Sequence, residues 1–185
     1  MEKLTTDLSR YNNDWFDRGA SVFKQISWYI VSFLFVNSAF PSSSFKVFLL
    51  RLFGAKIGKG VTIKPSVNIK FPWKLKIGNH VWIGEKVWID NLGLVVLENN
   101  TCVSQGAMLL CGNHHYKKQA FDLIVNNITV EEGAWVGAKS VVCPGVRIKT
   151  HAVLTVNSVA VNHLEPWAIY QGNPAVKIKE RIIKS

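Results

Sequence analysis

From Ile57 to Ala160 an aliphatic residue returns at every sixth position, and few folds can satisfy that spacing. Ile57, Ile63 and Ile69 open the series, then Ile77, Ile83 and Ile89, then Leu97, Val103 and Leu109. Val130, Val136, Val142, Ile148, Leu154 and Ala160 complete it. A second, mostly smaller residue stands four places on in most units, as at Val67, Val87, Ala107, Ser140 and Ala152. A helix stripe would recur at three and four residues, so this pattern is not helical. In extended chain, six residues at roughly 3.3 Å each make a flat side of about 20 Å, and three sides close a triangle. The backbone of each triangular coil then pairs with the coils above and below, about 4.8 Å away. The fifteen hexads predict an all-β parallel β-helix of about five coils, with turn-prone residues such as Gly58, Gly78, Asn79, Asn99 and Asn100 near its corners.

The rhythm slips three times, at 69→77, 89→97 and 109→130, each time after a third hexad. With three sides per coil, all three slips share one edge of the prism. Two are short, and one of these lies just beyond Pro72-Trp73. The third spans roughly residues 110–129 and carries Gly112-Asn113-His114-His115-Tyr116. Long excursions from a regular solenoid collect binding residues on one face.

These residues resemble the hexapeptide-repeat acyltransferases, whose coils are left-handed β-helices. Leu110-Cys111-Gly112-Asn113-His114-His115-Tyr116, the later Ala120-Phe121-Asp122-Leu123 and the tail Gly172-Asn173-Pro174-Ala175 look most like the sugar O-acetyltransferases of exopolysaccharide synthesis, with the colanic-acid type as the nearest subgroup. Phe53-Gly54-Ala55-Lys56-Ile57-Gly58 matches as well. The resemblance covers roughly residues 57–179. It implies an acetyl-CoA-dependent O-acetyltransferase acting on a saccharide, a homotrimer with active sites between subunits, and no metal.

By that resemblance His114 is the catalytic base. The chemistry agrees, since a sugar hydroxyl is a poor nucleophile near neutral pH and imidazole can take its proton there. Asn113 and His115 flank it as acceptor contacts, although His115 stands where related enzymes often carry an acid and either orients acceptor hydroxyls or is simply solvated. Asp90 and Asn91 lie one coil earlier at the same corner; they either bind acceptor hydroxyls or complete an Asx turn. The positions matching the family's acyl-CoA contacts are Trp135, Ala138, Val156, Val161, Asn162, Val176, Lys177 and Lys179. Val161-Asn162 replaces a frequent Thr-Lys pair, and Val176 replaces a frequent Arg.

The first 56 residues break the hexad rule. Ser21 to Val36 holds a single charge, and its apolar residues surround most of a helix. Phe45 to Phe53 is amphipathic and basic. The uncharged run is shorter than the roughly 20 residues a bilayer span requires. The segment is therefore either a cap over the open edge of the first coil or an interfacial anchor. The organisation read from the sequence is a helical segment over 1–56, the β-helix over 57–165 and a short helix or tail over 166–185.

Net charge of +10 invites a nucleic-acid partner, but the lysines are scattered at corners and no recognition helix is evident, so none is expected. Cys102, Cys111 and Cys143 have no paired or zinc-binding spacing, which fits a reducing, cytoplasmic setting with possible membrane association on that face. The apolar run begins too far along the chain for a cleavable signal peptide. Three other readings share the prism. A γ-type carbonic anhydrase would need His80, His114 and His115 on one metal, yet adjacent histidines in extended chain point apart. A non-catalytic scaffold would not need the Asn-His loop, and an antibiotic-type acetyltransferase would not need the apolar N-terminus.

Overall fold

The computed structural model describes residues 3–184. Each hexad forms a short strand, and the strands stack into three parallel sheets along the prism. The first face holds Lys56–Ile57, Leu75–Ile77, Val95–Leu97, Ile128–Val130 and Arg147–Ile148. The second runs through Thr62–Ile63, Trp82–Ile83, Cys102–Val103, Trp135–Val136 and Val153–Leu154, and the third through Asn68–Ile69, Trp88–Asp90, Met108–Leu110, Val141–Val142 and Val159–Ala160. Pairing keeps the hexad positions in vertical columns, such as Ile63, Ile83, Val103, Val136 and Leu154. Every residue of the series beginning at Ile57 is buried except Ile57 itself, which is half-buried on the end coil. Burial of these columns, about 25 cal/mol for each Å² of apolar surface, holds the prism together.

Five coils are complete, and a sixth is partly built. Leu164 bridges to Ile148, and Ala168–Gly172 pairs in parallel with Val153–Leu154. The tail beyond it is neither a helix nor irregular. Ala175–Glu180 folds back antiparallel on Ala168–Gly172 and ends the parallel stack. At the corners non-glycine residues occupy the left-handed region, among them Ser66, Lys86, Lys139 and Asn157 on one edge, with φ between 55° and 59°. His80 and His151 take the same corner conformation; His80 is exposed, but the His151 ring is half-buried and stacks on Trp167 at 4.2 Å.

Helix α1 spans Val22–Val31, starts on the Ser21 hydroxyl and widens into a π-turn over Ser32–Val36. Helix α2 spans Ser43–Leu52, starts on Ser42 and lies along the lower edge of the first coil. There the strand groups with no coil beneath them find partners. The Ser43 hydroxyl accepts from Ile63 N–H, Lys46 donates to Lys64 O, and Arg51 donates to Ile57 O and Gly58 O. Lys46 is fully buried, and that desolvation holds its pKa below the usual lysine value. Trp28 donates from its indole to Ile69 O at 3.0 Å and fixes α1 against the prism.

Candidate active site

All three irregular connections lie between the third face and the first, so they form one ridge. The lowest holds the Pro72–Lys74 turn. The uppermost is a β-hairpin, Gly112–His114 paired antiparallel with Leu123–Val125. Its root is pinned to Asp90, whose backbone oxygen accepts from Cys111 N–H at 3.2 Å. A Cβ on Gly112 would come within 2.6 Å of the Leu92 side-chain tip, so glycine lets Leu92 pack against the root of the hairpin.

His114 is half-buried on the inner side of this hairpin. Its Nδ1 lies 3.0 Å from the backbone oxygen of Phe121, and its ring stacks on Phe121 at 4.6 Å and 11°. A carbonyl oxygen only accepts, so Nδ1 carries the hydrogen and the lone pair of the neutral ring is on Nε2. Phe121 adopts φ 54°, an uncommon conformation for an aromatic residue, and so aims that carbonyl at the ring. The backbone N–H groups of His114 and His115 are used within the hairpin, on Asn113 Oδ1 and Asp122 O.

Asp90 lies at the same corner and pairs with Lys70 at 2.8 Å, its counterpart one coil below. Both line a cleft of about 1130 Å³ that also receives Asn113, His114 and Trp88. Asn91 does not belong there and is removed from the acceptor contacts. It is fully buried; its Oδ1 accepts from Phe71 N–H and its Nδ2 donates to Phe71 O and Lys74 O. Asn79, Asn99 and Asn127 make the same accepting bond to the coil below, at 2.8 Å each. The corner asparagines staple neighbouring coils together.

The opposite wall of the cleft comes from the N-terminal segment, which the sequence reading did not place at the site. Tyr11 packs 5.8 Å from the His114 ring, and Phe16, Tyr29 and Phe33 continue the wall. The segment is tied to the ridge along its length. Asp7 N–H donates to Gln119 O, Trp73 donates to Arg18 O, and Lys74 donates to Asp17 O and Leu92 O. The only signal for this in the sequence is Tyr11, Trp15 and Phe16 standing in an otherwise polar stretch.

None of Trp135, Ala138, Val156, Val161, Asn162, Val176, Lys177 or Lys179 lines this cleft. Trp135 projects from the second face and donates to Ser104 Oγ. Ala138 and Val156 stack one coil apart at the edge between the second and third faces, given the register of the strands before them. Val176, Lys177 and Lys179 are on the tail hairpin beyond them. Val161 and Asn162 sit on the ridge two coils above the hairpin root. Cys111 is fully buried behind the hairpin, and burial pushes its thiol up to about 11. A thiol so placed is protonated at neutral pH and unfit as a nucleophile. Among the described residues no group of three His, Cys, Asp or Glu could hold a metal ion.

The putative colanic acid biosynthesis acetyltransferase WcaF of Escherichia coli K12 is 36% identical over 177 residues, covering 95% of this chain and 97% of its own. The chain belongs to the hexapeptide-repeat acetyltransferases. No family model matches it. The hexapeptide-repeat acetyltransferase VCA0836 of Vibrio cholerae, solved with acetyl coenzyme A, superposes with a TM-score of 0.79 at 21% identity, covering 89% of this chain and 92% of its own. Galactoside acetyltransferase solved with coenzyme A gives 0.76, also at 21% identity, with 85% and 80% covered. The prism of this acetyltransferase is thus the left-handed β-helix of its family.

Proposed function

We propose that this acetyltransferase moves an acetyl group from acetyl-CoA directly to a hydroxyl of a saccharide, an intermediate of a surface polysaccharide, with His114 as general base. The observation that carries the reading is the bond from His114 Nδ1 to Phe121 O, which leaves Nε2 free to accept a proton. In the transfer the acceptor hydroxyl gives its proton to Nε2 while its oxygen bonds to the thioester carbonyl carbon. The carbon–sulfur bond then breaks, and the imidazolium returns the proton to the departing thiolate.

The cleft suits a sugar. The rings of Trp88, Tyr11 and Phe16 offer apolar faces to its C–H groups, while Asp90, Lys70 and Asn113 offer charged and amide groups to its hydroxyls. His115, the next residue along the hairpin, does not line this cleft and is removed from the acceptor contacts. The residues matched to acyl-CoA contacts lie outside this cleft, and that separation supports a homotrimer in which the thioester arrives along a neighbouring subunit. WcaF, named for colanic acid biosynthesis, supports the polysaccharide acceptor, and the acetyl-CoA complex of the Vibrio protein supports the donor. The free cysteines support a cytoplasmic setting.

The test is His114→Ala assayed for CoA release with nucleotide sugars, lipid-linked oligosaccharides and simple glycosides as acceptors. Turnover is expected to fall by roughly 10²- to 10⁴-fold with the oligomer intact. Unchanged turnover removes His114 from the chemistry.

A further inference from the structure

Between Asp17 and Glu85 the chain contains no acidic residue and ten lysines or arginines; the other 12 basic and 12 acidic residues cancel, so this stretch alone carries the net charge of +10. It comprises α1, α2 and the lower coils, so this end of the prism carries a net positive charge even though Asp90 pairs with Lys70 and Asp17 lies by Lys74. Arg18, Arg51, Lys56, Lys59 and Lys76 are exposed there.

The same end bears an apolar surface with no partner in the chain. Helix α1 has two apolar stripes. Val22, Ile26, Tyr29 and Phe33 face the cleft. Phe23, Ile30 and Leu34, spaced by seven and four residues, are outside it and are 81%, 53% and 52% exposed. The apolar surface continues through Phe35, edge-on to Phe45, and Phe48, stacked on Phe45, to Leu52 on α2, where Phe48 and Leu52 are exposed. Among the described residues no helix is long and apolar enough to cross a membrane. Aromatic and aliphatic side chains set among lysine and arginine, on helices too short to span, are the chemistry of an interfacial helix on an anionic bilayer.

We propose that this capped end is a docking surface for an anionic lipid bilayer, with the outer stripe of α1 in the headgroup region. Because one helix carries both the docking stripe and the cleft wall, the cleft sits beside the membrane surface. The occupant is a bilayer rather than a second copy of the chain, since a patch of like charge repels its own copy and attracts phosphate headgroups.

The full chain is to be sedimented with phosphatidylcholine vesicles prepared with and without phosphatidylglycerol. Sedimentation is expected to rise about tenfold with the anionic lipid and to fall away at high salt. The triple variant F23S/I30S/L34S should lose about tenfold of that binding with its oligomer and its transfer to soluble acceptors unchanged. Lys56→Gln combined with Lys59→Gln and Lys76→Gln should remove the preference for anionic lipid. A wild-type chain that stays in the supernatant with anionic vesicles overturns the proposal. So does a triple variant that sediments as before but changes oligomeric state, which makes the stripe a subunit contact. A chain that sediments yet transfers no acetyl group upholds the docking and refutes the catalytic reading; one that transfers without sedimenting does the reverse.

Discussion

Asn91→Ala separates a structural role from an acceptor-binding one at a position where the two were equally legible from sequence. The side-chain amide of Asn91 satisfies three backbone groups on the connection below it: Phe71 N–H at 2.9 Å, Phe71 O at 2.6 Å and Lys74 O at 3.1 Å. Phe71 is buried, so its two groups find no ready water after truncation, whereas Lys74 is half-buried and its carbonyl can recruit one. At about 1 to 2 kcal/mol for each stranded group, the loss is about 2 to 4 kcal/mol. In a chain of this size each kcal/mol lowers Tm by about 2 to 4 °C, so the midpoint should fall by roughly 4 to 16 °C at fixed protein concentration. Asn91→Asp should be at least as damaging, because it sets a carboxylate oxygen against two carbonyls in a buried site. Calorimetry supplies the midpoint and steady-state kinetics below it supply KM. A variant with unchanged Tm and a raised KM for the acceptor would refute the staple and return Asn91 to the cleft.

The neighbouring Asp90→Asn should behave oppositely. Its pair with Lys70 is partly exposed and worth under about 1 kcal/mol, so Tm should hold while KM for the acceptor rises; an unchanged KM would remove Asp90 from the site. The buried Cys111 thiol stays neutral up to about 11, whereas in the unfolded chain it ionises near 9.0. Its contribution is therefore complete below pH 9 and is lost as pH climbs through 11, about 2 to 3 kcal/mol in all. Urea midpoints at pH 8 and pH 10.5 should converge in Cys111→Ala relative to wild type, and parallel slopes would contradict this. Gly106→Asn should be tolerated within about 1 kcal/mol, since Lys86 and Lys139 hold the same conformation on adjacent coils and a Cβ there would find only Lys139 at 3.5 Å. Gly84→Ala should cost several times more, because its Cβ would come within 2.5 Å of Gln105 N; equal midpoints for the two would contradict the packing argument.

The prism was legible because one residue in six had to be aliphatic, and counting positions sufficed to place all three irregular connections on a single ridge. Counting also brought Asp90 near the hairpin. It could not say which way a side chain at a corner points, and so Asn91 was paired with Asp90 although one turns inward and the other outward. Lys70 was within reach of the same arithmetic, 20 residues before Asp90. The N-terminal wall was not, because Tyr11 and Phe16 are held on the ridge by bonds donated from Trp73 and Lys74 and accepted by Gln119 that no local pattern encodes. The tail illustrates a different gap: Ala168 to Glu180 reads as two apolar-polar stretches around Asn173-Pro174, but only the exposed top of the stack explains why they fold back on each other.

The antiparallel turn-back of that tail and the helix laid across the opposite end share a consequence for assembly. A stack of parallel strands is open-ended in principle, and two such molecules meeting end to end could continue each other as a fibre. Here one terminus shows an arriving chain a strand running the wrong way and studded with Lys177 and Lys179, and the other shows side chains already bonded to the last backbone groups. Polymerisation is thereby blocked without limiting how tall the column can be. Whole turns could be added or removed between Glu131 and Leu164 over evolutionary time, and the hairpin, the wall and the cleft below would register no change.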